Sequence, residues 1–362
     1  MKKKIRIGVI FGGKSAEHEV SLRSAGNVIA ALDKEKYEVV PIGIDKVGKW
    51  VLREATARLL KGDNSNPVEL DASSKQVSLI VQSAGALVDI HSHEHYGKLD
   101  VIFPVLHGPY GEDGSVQGLL KLASVPFVGA GVLGSAIGMD KDVTKRLLRE
   151  AGIPVAKFVT IGFGEVCTYK KIIATLGLPV FVKPANLGSS VGISKVKNKS
   201  EFERAVKEAF EYDTKVIIEE AINGREIECS VLGNENPIAS LPGEVIPKHE
   251  FYSYTAKYID EHGAALEIPA RLSKEVVKKI QKTAIKTFKV LNCEGMGRVD
   301  FFLKKNGELL VNEINTIPGF TAISMYPKLW EASGMSYSEL LDRLIALAIE
   351  RFEREQKLKS TV

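Results

Sequence analysis

Cysteine is scarce. Cys167, Cys229 and Cys293 are the only three thiols in 362 residues, and no two form a C-x-x-C pair. That excludes a disulfide scaffold and a thiolate zinc centre, and leaves reduced, buried thiols as the expectation. Long apolar runs are missing too, and none approaches the roughly 20 residues a membrane helix needs. Lys2, Lys3 and Lys4 precede only a short strand-like run, Ile5 to Ile10, with no cleavage site after it. No signal peptide is expected there. A cytoplasmic protein with no membrane contact is the expectation. Charge of one sign is also absent: 49 Lys and Arg against 45 Asp and Glu leave a net +4. The basic residues are scattered rather than striped between aromatics, so nucleic acid is not an expected partner. No internal repeat or low-complexity tract occurs. His91, His93 and His95 alternate, but without cysteines or an acidic cage they read as a solvated edge rather than a metal site.

What is present is a regular alternation. A single core rarely grows to this length, so two or three domains are expected. Ile5–Ile10 reads as a buried strand, followed by a helix after Ser15, with Tyr37–Ile44 and Val101–Leu106 as further strands and a helix near Ser115–Leu122. Such βα alternation predicts a parallel sheet covered by helices, with 45–95 as an irregular insertion. Asp140 caps a helix that opens at Lys141, strands follow at Val155–Ile161, Val180–Pro184 and Val216–Glu219, and Ser200 with Glu203 forms a capping box. Farther on, Glu226–Leu232 and Pro237–Leu241 are strands. Ser273 caps a helix with Val276, Ile280, Ala284, Phe288 and Leu291 on one face, and Ser336 with Glu339 boxes the last helix. The boundaries expected are 1–129, 130–222 and 223–362.

Chemistry concentrates in 296–316. Two strand-like runs flank Asn306-Gly307, a two-residue type I′ hairpin signal. That turn sets Asp300 opposite Glu313 and Arg298 opposite Asn315, all on one face. Val299, Phe301, Leu303, Leu310 and Ile314 fall on the other. Carboxylates directly across a ladder repel, so a cation between them is implied. Hard oxygen donors suit Mg²⁺ or Mn²⁺ rather than zinc. Arg298 beside them could stabilise a developing anion. The alternative is a solvated face on which Arg298 simply pairs with Asp300.

Small residues at Gly188, Ser189, Ser190 and Gly192 follow Lys183-Pro184. Such a loop lets backbone N–H groups approach an anion, and Lys183 and Lys141 would add charge. It is neither a Walker A loop nor G-x-G-x-x-G. Glu219, Glu220 and Ile222 end a strand at a junction suited to an adenine amine, and Glu226 could accept from ribose hydroxyls.

Metal hairpin, glycine-rich flap and junction strand occur in the order of the ATP-grasp fold. The segments GGKSAEHEVS (12–21), HGPYGEDG (107–114), KP with GSSVG (183–192), FYSYTAKY (251–258), GRVD (297–300) and NEINTIPGFT (312–321) resemble D-alanine–D-alanine ligases over nearly the whole chain. The resemblance implies three domains: an N-terminal parallel α/β substrate-binding domain, then two α+β domains that sandwich ATP. It implies that Glu17 holds the ammonium of the first D-alanine and that His107 lies near that substrate and its acyl phosphate. Lys141 and Lys183 would meet the α- and β-phosphates and Lys257 the γ-phosphate. Asp300, Glu313 and Asn315 would ligate two Mg²⁺ (or Mn²⁺) ions. Arg298 and the Gly319 N–H would stabilise the oxyanion, and Ser324 with the Met325 N–H would bind the second D-alanine. Ser189 and Tyr258 would hydrogen-bond with Glu17 to close the flap. The implied product is D-alanyl-D-alanine, a peptidoglycan precursor, made through D-alanyl phosphate by a homodimer. Two readings stay open beside it: a D-alanine–D-lactate ligase of the same fold, and a nucleotide-binding protein without turnover.

Overall fold

In the computed structural model the described residues are 3–52, 75–165, 168–189, 191–247 and 264–359. The chain begins β1 (Ile5–Gly12), α1 (His18–Ala31), β2 (Tyr37–Ile44), β3 (Trp50–Leu52), β4 (Lys75–Leu79), β5 (Ala86–Asp89), β6 (His95–Lys98), β7 (Val101–Val105) and α2 (Ser115–Leu122). In β1, Ile7, Val9, Ile10 and Phe11 are all fully buried. A strand apolar on both faces belongs inside a covered sheet, and β1 indeed pairs in parallel with β2 and β7 on its two sides. The full order is β6-β5-β4-β3-β2-β1-β7.

Three of those seven strands form the expected parallel sheet, which makes up one end of a larger, mixed one. β3 to β6 add on antiparallel. The cause is connection length: β4, β5 and β6 follow one another through short reversals, with positive φ at Gln82, Ala84, Gly85 and His93. A short reversal can join only antiparallel neighbours. The described part of 45–95 is therefore a sheet extension rather than an irregular insertion. His91, His93 and His95 are exposed at its β5–β6 end, as expected.

Next come α3 (Val132–Met139), α4 (Lys141–Glu150), β8 (Phe158–Gly162), α5 (Tyr169–Leu176), β9 (Val180–Pro184), β10 (Ser194–Val196), α6 (Lys199–Ala209) and β11 (Lys215–Glu220). The strands form an antiparallel sheet in the order β10-β9-β11-β8. Asp140 caps α4 by accepting from Val143 N at 3.0 Å. The cap of α6 lies two residues before the expected Ser200. Asn198 accepts from Glu201 N at 3.0 Å, and Glu201 reaches back to Lys197 N at 2.7 Å. Asparagine caps a helix as well as serine does, so either frame satisfies the sequence pattern.

The third group is β12 (Gly224–Gly233), β13 (Ile238–Ala239), β14 (Gly243–Pro247), β15 (Ala264–Glu267), α7 (Lys274–Val290), β16 (Gly295–Lys304), β17 (Leu309–Asn315), α8 (Met325–Ala332) and α9 (Tyr337–Gln356). Its sheet runs β15-β14-β12-β16-β17, with β13 beside β12. Helix α7 covers one face. Ile280, Ala284 and Phe288 are fully buried there against Val299, Phe301 and Val311. Each large apolar side chain so buried contributes roughly 1.5–3 kcal/mol. That covered face leaves the opposite one for polar work. Helix α9 opens with the expected Ser336–Glu339 capping box. It then crosses to the first sheet, where Leu340, Leu341, Leu344 and Ile345 share a core with Leu22, Val28, Ile29 and Phe103.

The hairpin turn differs from the expected type I′. Of Asn306 and Gly307, only Gly307 has positive φ, at +82°. Gly307 N donates to Lys304 O at 3.0 Å and Lys304 N to Glu308 O at 2.9 Å, which closes a three-residue loop. The pairs next to it are Leu303↔Leu309, Phe302↔Leu310 and Phe301↔Val311. A bulge at Asn312 then shifts the ladder, giving Asp300↔Glu313 and Arg298↔Asn315. The turn adds a residue and the bulge takes it up again. Leu310 is corrected accordingly: it lies across from Phe302, while Leu309 and Val311 take the core face.

Candidate active site

Three sheets converge on a cavity of about 290 Å³. That size is at the small end for ligand pockets and suits small polar substrates. From the first sheet come Glu17, just ahead of α1, and His107, just beyond β7; from the flap come Gly188 and Ser189. Sheet three supplies Glu226, Arg298, Asp300, Glu313 and Asn315. The following loop supplies Gly319, Ser324 and Met325. These are residues singled out in the sequence, brought together.

Glu17 is 8% exposed and accepts from Ser189 Oγ, so the flap is joined to the first sheet. The fit is close. A Cβ on Gly108, which has φ +74°, would lie 2.9 Å from Glu17 Oε2 and 2.8 Å from Ser15 Oγ. His107 Nδ1 lies 3.0 Å from Ile317 O, so it must carry the proton and donate. Nε2 is then an acceptor, buried and without a hydrogen-bond partner among the described residues. Burial, against the pull of Glu17, lowers the His107 pKa and keeps the ring neutral.

Glu112 accepts from Gly108 N at 2.7 Å and from Ile317 N at 3.2 Å, tying two cavity loops together. Burial first, then the neighbouring Glu17, push its carboxyl up to about 8. The 316–321 loop is held from behind as well. Ser24 Oγ accepts from Phe320 N at 3.2 Å, and Tyr337 OH donates to Phe320 O at 2.8 Å. Ser324 Oγ, at the start of α8, accepts from Thr321 N at 3.0 Å.

On sheet three, Glu228, Asp300 and Glu313 stand directly opposite one another on β12, β16 and β17. Arg298 forks Asp300, with Nε to Oδ1 and Nη2 to Oδ2 both at 2.7 Å, and its Nε is also 2.8 Å from Glu228 Oε2. Asn315 Nδ2 donates to Asp300 Oδ2 at 3.0 Å. Burial opposes the Arg298 charge, but Asp300 and Glu228 override it and raise its pKa well above the usual value. The expected pairing of Arg298 with Asp300 therefore exists inside a cavity, not on a solvated face. Three carboxylates in a row carry more negative charge than one guanidinium offsets. Hard oxygen donors with surplus charge fit a divalent cation. Among the described residues no three His, Cys, Asp or Glu side chains converge tightly enough to hold a metal by themselves. Glu228, Asp300, Glu313 and the Asn315 amide all line the cavity.

Cations stand behind this row. Lys141 Nζ is 3.7 Å from Glu313 and donates to Leu187 O of the flap at 2.5 Å. Glu219, 2% exposed, lies between Lys183 at 2.7 Å and Lys145 at 3.1 Å. Burial would raise its pKa, but the two lysines hold it down at about 2. Lys145 also donates to Asn312 O, the bulge carbonyl, at 3.2 Å. Burial lowers the Lys145 pKa despite Glu219, whereas Glu219 and its neighbours outweigh burial at Lys183 and raise it. Glu220 accepts from Lys157 N at 2.8 Å and Ile222 is half-buried; neither lines the cavity. Ser190, Lys257, Tyr258 and Cys167 lie outside the described residues.

Sequence reasoning missed Lys145, Glu228 and a role for Glu112. Signals existed for two of them. Lys145 is four residues after Lys141, on the same helix face. Glu228 is two after Glu226, on the same strand face.

Two profiles of one family match this chain: D-ala D-ala ligase N-terminus over residues 6–130 and D-ala D-ala ligase C-terminus over 147–346. The chain belongs to the D-ala D-ala ligase family. It is 55% identical to a D-alanine–D-alanine ligase of Shouchella clausii, with 99% of this chain and 98% of that protein covered. The structure of the D-alanine–D-alanine ligase from Coxiella burnetii superposes with a TM-score of 0.87 at 44% identity, covering 98% and 96% of the two chains. VanG D-Ala:D-Ser ligase from Enterococcus faecalis gives 0.85 at 41% identity, covering 96% and 100%. The fold shared with these ligases is the ATP-grasp fold. Among the described residues no helix is long and apolar enough to cross a membrane.

Proposed function

We propose that this ligase joins two D-alanine molecules with conversion of ATP to ADP and phosphate, as a step toward peptidoglycan. The observation that carries the reading is the opposition of two cavity walls: Glu17 latched by Ser189 on one side, and the Arg298–Asp300–Glu313 face on the other. The names of relatives over nearly the full length support it.

In this reading a carboxylate oxygen of the first D-alanine attacks the γ-phosphorus and ADP leaves. The amine of the second then attacks the carbonyl carbon and phosphate leaves, with two protons lost from that nitrogen overall. Glu17 holds the first ammonium. His107, neutral with Nε2 as acceptor, takes an N–H rather than an anionic oxygen. Arg298 and Gly319 N–H face the oxyanion, and Ser324 with Met325 N–H binds the second carboxylate. Lys141, Lys183 and Lys257 offset phosphate charge, and Glu226 takes the ribose. Glu219 keeps Lys183 charged and aimed. Ser189 with Tyr258 closes the site, which keeps water from the acyl phosphate. Asp300, Glu313 and Asn315 would hold two Mg²⁺ or Mn²⁺ ions, which neutralise phosphate charge when bound. We further read 1–129, 130–222 and 223–362 as the domains, a homodimer as the assembly and the cytoplasm as the location.

Phosphate release from ATP tests this. D-alanine supports release, L-alanine does not, and Asp300→Ala loses nearly all of it. Parallel incubations with D-serine and D-lactate decide the second substrate. Equal or better use of either overturns the choice of D-alanine. Nucleotide binding without turnover would leave a binding protein instead.

A further inference from the structure

Asp300 is given two tasks in the proposed site. Both of its oxygens are engaged by the Arg298 fork, at 2.7 Å each, yet the same oxygens face Glu313 as donors for a divalent cation. A cation drawn to Asp300 weakens the hold on Arg298, which must stay in place to meet an oxyanion. The structure holds a second anion for that arginine. Glu228 Oε2 is 2.8 Å from Arg298 Nε, its side chain only 14% exposed. It stands on β12 directly across from Asp300, in the interior of the sheet, so its backbone is fixed by ladders on both sides. Glu228, Asp300 and Glu313 do not converge on one point as a three-carboxylate cage.

We infer that Glu228 is a positioning residue: it keeps Arg298 aimed into the cavity when Asp300 turns to the divalent cation. The inference rests on the ligase reading for Arg298 and Asp300, and extends it to a residue with no role there. Without Glu228, Arg298 and the cation share the charge of one carboxylate, and each weakens the other's hold on it. With it, the arginine has somewhere else to stay, and binding of the cation does not disorder the group next to it.

The test uses the full chain as Glu228→Gln and Glu228→Asp, with Mn²⁺ and ADP as probe. Free Mn²⁺ is followed by electron paramagnetic resonance. Residues that orient a metal ligand typically affect metal affinity or activity by 10–100-fold. Glu228→Gln is expected to weaken Mn²⁺ binding in the presence of ADP about tenfold, and to lower kcat about 100-fold at saturating Mn²⁺. KM for ATP stays within about twofold, since no phosphate contact changes. Melting of the ligand-free protein hardly moves, because the Arg298–Asp300 fork remains. Glu228→Asp keeps the charge, recovers part of both losses, and carries the same test if the amide variant does not fold. Unchanged Mn²⁺ affinity and kcat in Glu228→Gln would overturn the inference. So would a fall in ligand-free melting temperature with no kinetic change, which marks a purely structural role. If the parent released no phosphate with D-alanine, the ligase reading would fail, while the Mn²⁺ titration would still decide on Glu228.

Discussion

Glu219→Gln probes the buried line Lys145–Glu219–Lys183, and the two ends of that line should respond unequally. Glu219 is the sole anion between two ammonium groups in this line, with side-chain exposures of 1%, 3% and 11% for Lys145, Glu219 and Lys183. Its carboxyl is held at about 2 against an ordinary 4.5. At about 1.36 kcal/mol per pKa unit, the ionised form contributes on the order of 3 kcal/mol above pH 4.5. Replacing it also leaves two buried cations without their partner, and breaking a buried pair costs about 3–5 kcal/mol. Lys145→Met is different. Burial already disfavours its charge, and its removal leaves a one-to-one Glu219–Lys183 pair. The remaining cost is about 1 kcal/mol for the orphaned Asn312 carbonyl. Thermal melting by far-UV circular dichroism at pH 7 should show Glu219→Gln down by on the order of 10 °C and Lys145→Met by about 2–3 °C. The pH dependence carries a sign. A depressed carboxyl stabilises above pH 4.5 and loses that contribution as pH falls toward 2, so the parent loses stability over that window and Glu219→Gln flattens it. Equal losses in the two variants, or a Glu219→Gln protein melting with the parent, would refute the reasoning.

Glu112 titrates in the opposite sense. Its carboxyl is raised to about 8, so its contribution is full below pH 4.5 and is lost as pH rises through 8. Melting temperature should decline over that window, less steeply in Glu17→Gln, which removes the neighbouring charge. Gly108→Ala should lose at least about tenfold in activity, because a Cβ at φ +74° meets both Ser15 Oγ and Glu17 Oε2; initial rates against soluble expression check it. Cys229 and Cys293 are buried, with thiols pushed up to about 12, so neither should react with an aromatic disulfide reagent at pH 8 until denaturant is added.

Much of this site could be read from residue order. Strand alternation put Arg298, Asp300, Glu313 and Asn315 on one face, and the structure keeps them there. The route was not legible. Asn306-Gly307 fits a type I′ turn and a three-residue loop equally well, and nothing local marks Asn312 as a bulge. Its carbonyl is held by Lys145 from a distant helix, a tertiary effect. The antiparallel extension was missed for a related reason, since short alternating segments such as Lys75–Leu79 do not declare which neighbour they pair with. Glu228 had only its spacing from Glu226 to mark it, because a strand glutamate looks solvent-facing until the register sets it across from Asp300 and within reach of Arg298. Local signals such as the Ser336–Glu339 box survived because capping needs only its own turn.

Helix α9 has a consequence for how the molecule comes into being. The first sheet is laid down by residue 105, yet the apolar cover that α1 begins on one face with Leu22, Val28 and Ile29 is completed only by residues 337–356. A nascent chain on the ribosome therefore carries the core around Phe103 only partly covered until the last helix is made. Completion of the N-terminal half becomes one of the last events of synthesis, and shortening that helix would damage a region far away along the sequence.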